Sequence, residues 1–220
     1  MIAHRRRAAT RRRETDRRLH VPEPRTTSWW EWRIFGPQIQ MPVAPDLLTE
    51  PTEAPATETW LLSPCSSFSV RVCHGQVEIK RLERIDRRGL ELWRVIHRYR
   101  FPLDAAAVAT VSVDLGASVP DLEGSVDLER FLSVMHAAAP SVVVRSVRTQ
   151  RTPFRLDGCR GEHVKLTVGG GQWETVALVG QDPGPVHAAL QRLGFSRFAN
   201  MNYPRALKLM LGVADRAAAL

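Results

Sequence analysis

Lysine is almost missing from this chain: Lys80, Lys165 and Lys208 are its whole complement, although lysine and arginine together number 31 of 220 residues. Positive charge is therefore carried by arginine, a usage that codon bias also produces, so arginine number alone argues for nothing. Cysteine is equally sparse. Cys65, Cys73 and Cys159 are odd in number and show no CxxC spacing, which excludes a disulfide framework and a thiolate zinc site and suits a reducing compartment. No apolar run approaches the ~20 residues that a membrane span requires, and the basic N-terminus has no apolar segment behind it to make a secretory signal. His97 and His163 lack a partner at ligand spacing and read as structural or surface residues. The expectation is a soluble cytoplasmic protein with no membrane partner.

Hydrophobic content of 44% and charged content of 25% are those of a globular protein. The net charge of +8 is unevenly placed. Residues 1–27 hold nine arginines against Glu14, Asp16 and Glu23, for +6, and leave +2 for everything after them. A basic site beyond residue 27 is thus local rather than global. Residues 1–27 have no apolar periodicity and include the prolines Pro22 and Pro24 near their end. They read as a disordered basic arm, either a solvated tail or a non-specific phosphate-contacting segment for nucleic acid. Residues 28–220 form the folded domain.

Order is expected to begin at SWWEWRIF (28–35), which alternates Trp30, Trp32 and Ile34 with Trp29, Glu31 and Arg33. After a proline-rich loop and a short strand at 58–62, residues 69–103 read as a three-strand meander. Two turns divide it, at His74-Gly75 and at 86–89. Strict alternation puts Arg71, Glu78, Lys80, Arg94 and Arg98 on one face of it. Helices are predicted from Asp104, whose side chain suits a cap, and over 127–138. A strand follows at 141–150 and extends into 151–157. A hairpin then closes across Gly169-Gly170-Gly171, where a turn explains the glycines better than a phosphate loop does. Two C-terminal helices end at Gly194 and Gly212. Eight short strands with short connections imply an α+β fold with antiparallel pairing, and closure into a barrel would leave no free edge.

These residues resemble the CYTH superfamily, the triphosphate tunnel proteins, over roughly 28–212. The Trp29-x-Glu31-x-Arg33 run stands where that family carries an ExExK signature. SVRVCHGQVEIKRL is similar to its paired third and fourth strands, with Arg71 and Lys80 at tunnel-facing positions, and GLELWRVIHRYRFPL to its fifth, with Arg94 as the basic match. The end, LGFSRFANMNYPRALKLMLG, looks like the C-terminal helices of a bacterial branch.

The resemblance implies an eight-stranded antiparallel closed barrel whose interior binds a triphosphate-containing ligand, often with Mg²⁺ or Mn²⁺. In that reading Arg33, Arg71, Lys80, Arg94, Arg98 and Arg148 hold phosphates. Glu31, Glu162 and Glu174 hold the metal ion, and Glu31 also aligns the attacking water of a metal-dependent triphosphatase. Guanidinium groups suit a compact polyanion because each grips phosphate oxygens bidentately, while Mg²⁺ prefers carboxylate and phosphate oxygens. Three positions depart from the pattern. Trp29 replaces the first signature acid, Arg33 replaces the lysine, and Val179 stands where an acid is often found. Glu174 shares its alternation with Val176 and Leu178, an apolar set. The alternatives are a non-catalytic polyphosphate or nucleotide binder built on the same fold, and an accessory nucleic-acid binder acting through 1–27.

Overall fold

A computed structural model describes residues 28–41, 52–120 and 122–214; the arm at 1–27 lies outside the described residues. Eight strands, β1 (Ser28–Gly36), β2 (Ala56–Leu62), β3 (Ser69–Cys73), β4 (Gln76–Ile85), β5 (Glu91–Arg100), β6 (Val143–Leu156), β7 (Cys159–Val168) and β8 (Gly171–Gly180), close into a barrel. Their order is β1-β5-β4-β3-β2-β6-β7-β8, and every pairing is antiparallel. Four helices flank them: α1 (Ala105–Asp114), α2 (Leu128–Ala138), α3 (Pro183–Arg192) and α4 (Tyr203–Met210). The eight-stranded α+β barrel expected from the sequence is the fold observed.

Local chemistry explains the chain reversals. The β3–β4 and β7–β8 hairpins turn on His74-Gly75 and Gly169-Gly170, with φ of 50° and 71°, and 57° and 81°. Positive φ at both central residues matches the right-handed twist of the strands, and glycine takes that conformation without a Cβ clash. Asp104 and Asp127 cap α1 and α2 by accepting the amides of Ala107 and Arg130.

Two hydrophobic layers wrap the barrel from outside. Val70, Val77 and Ile79 pack under Val108, Val111, Phe131 and Met135 of α1 and α2. Trp30, Trp32, Ile34, Val176 and Leu178 pack under α3, and Phe195 stacks on Trp32 at 5.5 Å. With the even-numbered side chains of β1 committed to this layer, Trp29, Glu31 and Arg33 face inward. A third cluster lies at one end of the lumen, where Trp60, Leu62, Val147 and Leu166 meet Tyr203 and Leu207 of α4. Helix α4 therefore closes that end. Lys208 is buried there and donates to the Ser66 carbonyl at 2.8 Å.

One irregularity decides which basic side chains reach the lumen. In the β4–β5 ladder, Ile79 pairs with His97 but Lys80 pairs with Val95, so β5 carries one extra residue there. A single inserted residue flips every later side chain to the opposite face. Arg98 consequently points inward with Glu78, whereas Arg94 points outward.

A candidate polyanion site in the barrel lumen

The lumen is polar between its closed end and its mouth. Its cavity, about 540 Å³, is lined by cations Arg33, Arg71, Lys80, Arg151, Arg155 and Arg160 and by carboxylates Glu31, Glu53, Glu58 and Glu162. Each strand contributes at two-residue spacing, because only that spacing keeps side chains on the inner face.

The innermost charges form a continuous chain of ion pairs. Arg33 is 5% exposed and donates to Glu31 Oε1 from Nε at 3.0 Å, to Glu162 Oε1 from Nη2 at 2.6 Å and to Thr175 Oγ1 from Nη1 at 3.3 Å. Its Cζ lies 4.5 Å from the Tyr203 ring centroid. Arg151 links Glu162 (3.5 Å) to Glu58 (2.8 Å). Arg71 links Glu58 (3.1 Å) to Glu78 (2.8 Å), and Lys80 and Arg98 also converge on Glu78, at 3.5 and 2.9 Å.

Tryptophans orient the carboxylates. The indole Nε1 of Trp29 donates to Glu31 at 3.3 Å, that of Trp60 to Glu58 at 3.2 Å and that of Trp93 to Glu91 at 2.9 Å. The same device recurs on three strands: a Trp two residues from a Glu on the inner face. Lys80 rests over the Trp29 ring, 4.9 Å from its centroid. Glu91 also accepts from Asn202 Nδ2 at 3.0 Å and so ties the cap of α4 to the wall.

Titration follows from these contacts. Burial pushes the Glu31 and Glu162 carboxyls up, but Arg33, with Lys80 acting on the first and Arg151 on the second, more than offsets it and holds both below the usual range. Glu78 is also raised by burial, yet Lys80, Arg71 and the bond from Arg98 bring it down from 4.5 to about 2. Burial lowers Lys80, with Arg71 adding to the effect, and raises Glu91. Because the folded-state values of Glu31, Glu78 and Glu162 lie below their unfolded ones, their stabilisation is whole above about pH 4.5. It is lost as pH falls toward 2. For Glu78 alone the loss is on the order of 3 kcal/mol at most. Thermal melts taken from pH 7 to pH 2 should show Tm holding to about 4.5 and then dropping steeply; a flat Tm through that window would disprove the network's contribution.

The structure gathers some of the residues expected from sequence and disperses others. Glu31, Arg33, Arg71, Lys80 and Glu162 meet in the lumen, with Arg98 near the mouth and half exposed. Arg94 does not join them. The extra residue in β5 turns it outward, where it pairs with Glu83 at 2.8 Å beside Arg81. Arg148 is exposed on the outer face, since Val147, Thr149 and Arg151 hold the inward places of β6. Glu174 is likewise outside, accepting from the Ile39 amide at 2.9 Å and paired with His163 at 3.1 Å, so it cannot share an ion with Glu31. Sequence reasoning missed Glu58, Glu91 and Tyr203 and did not count Arg151 among the phosphate-holding residues. The Trp-x-Glu and Glu-x-Trp pairs at 29–31, 58–60 and 91–93 were the signal that would have exposed the two carboxylates.

Among the described residues no three Asp, Glu, His or Cys side chains cluster as a preformed metal site. Glu31 and Glu162 do both accept from the Arg33 guanidinium, so the lumen offers a cation a pair of carboxylates. That fits a hard divalent ion taking its other ligands from phosphate and water, and it does not fit a metal held by protein alone. No helix among the described residues is long and apolar enough to cross a membrane.

No family model and no curated protein matches the chain. Among solved structures it is similar to the PH1012 protein of Pyrococcus horikoshii OT3, at 12% identity over 80% of this chain and 98% of that one, with a TM-score of 0.41. It is also similar to a conserved hypothetical protein of Pyrococcus furiosus, at 10% identity over 80% and 99%, TM-score 0.42. A third, from Bacillus halodurans and provisionally named an adenylate cyclase, shows 9% identity over 80% and 94%, TM-score 0.40.

Proposed function

We propose that this chain is a CYTH-like, triphosphate-tunnel protein that binds a triphosphate-containing ligand, inorganic tripolyphosphate or a nucleoside or thiamine triphosphate, in its barrel lumen. The observation that carries the reading is the convergence of Arg33, Arg71, Lys80 and Arg151 from four different strands on one cavity. An exposed basic sheet would have sufficed for solubility. Burying four cations costs desolvation that a surface site avoids, and a compact polyanion is the ligand that such convergence suits.

The interior carboxylates shape the ligand. Arg33, Arg71 and Arg151 each bridge two carboxylates, so a bare polyanion must compete with Glu31, Glu58, Glu78 and Glu162. A polyphosphate carrying a divalent ion presents both signs at once: phosphate oxygens take over the guanidinium groups while the released carboxylates face the ion. Mg²⁺ or Mn²⁺ would be held by Glu31 and Glu162 and would supply charge neutralisation at the phosphoryl oxygens. The chain's own residues would do the remainder. The arginines hold the phosphates in line, α4 closes one end of the lumen to water, and Glu31, kept ionised and fixed by Trp29 and Arg33, orients a water for attack.

Binding without turnover is the second reading, and Trp29 favours it. Its indole stands at the first signature position and spends its only donor on Glu31, leaving one acid where two are expected. Phosphate release from tripolyphosphate, ATP and thiamine triphosphate, with Mg²⁺ or Mn²⁺, should be measured beside binding calorimetry. The expected result is binding of at least one of them, with any turnover abolished in Glu31→Gln while binding persists. Binding with no turnover selects the second reading. If no triphosphate binds, the proposal fails.

A further inference from the structure

One buried polar atom in the lumen has no hydrogen-bond partner among the described residues. Tyr203 is 7% exposed, and among the described residues its hydroxyl has no hydrogen-bond partner. The ring is firmly placed: it stacks on Trp60 at 5.0 Å, meets Phe35 edge-on at 5.1 Å and lies under the Arg33 guanidinium. Tyr203 lines the cavity at the end closed by α4, and the charges that act on its hydroxyl, Arg33, Glu162, Arg151 and Glu58, are all side chains of the lumen wall. Burial pushes the phenol up to about 12, with Arg33 opposing, so the group is protonated at neutral pH and available as a donor. A buried hydroxyl without a partner costs about 1–3 kcal/mol, and packing alone would be served as well by phenylalanine.

We infer that the closed end of the lumen is an oxyanion seat, in which the Tyr203 hydroxyl, flanked by Arg33 and Arg151, donates a hydrogen bond to the innermost phosphoryl oxygen of a linear polyphosphate. The inference rests on the polyphosphate reading above and adds an orientation: the terminal phosphoryl group enters first, and whatever it is attached to stays toward the mouth. Both arginines hold Glu162, at 2.6 and 3.5 Å. A phosphoryl group that draws them away meets the phenol as an uncharged third donor.

The test is Tyr203→Phe, which keeps the ring and removes one oxygen. Inorganic tripolyphosphate is titrated calorimetrically into wild type and variant with Mg²⁺ present, and both unliganded proteins are melted. The expected result is an affinity about tenfold lower in the variant, the size of a hydrogen bond to a charged group, with an unliganded Tm at or above that of wild type because the unpartnered hydroxyl is gone. Affinity within twofold of wild type overturns the seat while leaving the polyphosphate reading intact. So does a loss of affinity matched by an equal loss of unliganded stability, because the hydroxyl would then serve the fold. If tripolyphosphate does not bind wild type, the seat for a linear polyphosphate is overturned, and the reading it stands on falls with it only if ATP and thiamine triphosphate also fail to bind.

Discussion

Replacing Arg33 by Met should lower the Tm by roughly 10 °C at pH 7.5, and the deficit should shrink on acidification to pH 4.5. The guanidinium is the shared cation of Glu31 and Glu162 and also bonds Thr175. Without it two carboxylates on the lumen wall lose their common counter-charge, and Glu162 is left with the longer, 3.5 Å contact to Arg151. Breaking a buried pair by removing one partner costs about 3–5 kcal/mol, and 1 kcal/mol moves the Tm of a chain this size by about 2–4 °C. The pH sign follows from the same residues. In wild type Glu31 and Glu162 are held below their ordinary range, so acid destabilises the protein. In the variant burial and mutual repulsion would raise them, so protonation relieves the strain and the two melting curves converge as pH falls. A variant within 2 °C of wild type at pH 7.5, or a gap that widens in acid, would refute the assignment of Arg33 as the keystone of the network.

The fold was legible in the sequence where periodicity was clean. The alternation of β1 separated Trp30, Trp32 and Ile34 from Trp29, Glu31 and Arg33, and the outer layer under α3 takes the first set. Paired glycine turns and Asp caps placed the hairpins and helices to within a few residues. What alternation cannot see is a bulge. Arg94 and Arg98 are four apart and should share a face, yet one extra residue in β5 separates them. The phase of β6 was equally hidden, since RSVRTQR offers an arginine in either register, and only the pairing of Glu58 with Val147 shows that Arg151 rather than Arg148 enters the lumen. Tyr203 was illegible for a different reason. Its place depends on a helix folding back across 170 residues of chain to close the barrel, a contact with no local pattern behind it.

Replacing Glu78 by Gln should do two opposite things: destabilise the unliganded protein by about 3 kcal/mol at most, and tighten its hold on tripolyphosphate by about tenfold. Glu78 is 5% exposed and stands behind the cavity wall, accepting from Arg71 at 2.8 and 3.2 Å and from Arg98 at 2.9 Å, with Lys80 at 3.5 Å. Its charge is what lets three cations share one side of the lumen. The amide keeps the shape and one acceptor but cancels the charge, so Arg71 and Lys80, both lining the cavity, are left repelling each other. A polyanion then relieves that repulsion instead of competing with a carboxylate. Added tripolyphosphate should therefore raise the Tm of the variant by more than it raises that of wild type, since a ligand stabilises in proportion to the logarithm of its concentration over Kd. High salt should shrink the difference by screening the exposed Arg98 most. If the variant loses stability and phosphate affinity together, Glu78 contributes to the ligand site itself, as a carboxylate facing a phosphate-bound cation, and the division of labour would be reversed: Arg71 and Lys80 would serve the fold, and Glu78 the chemistry.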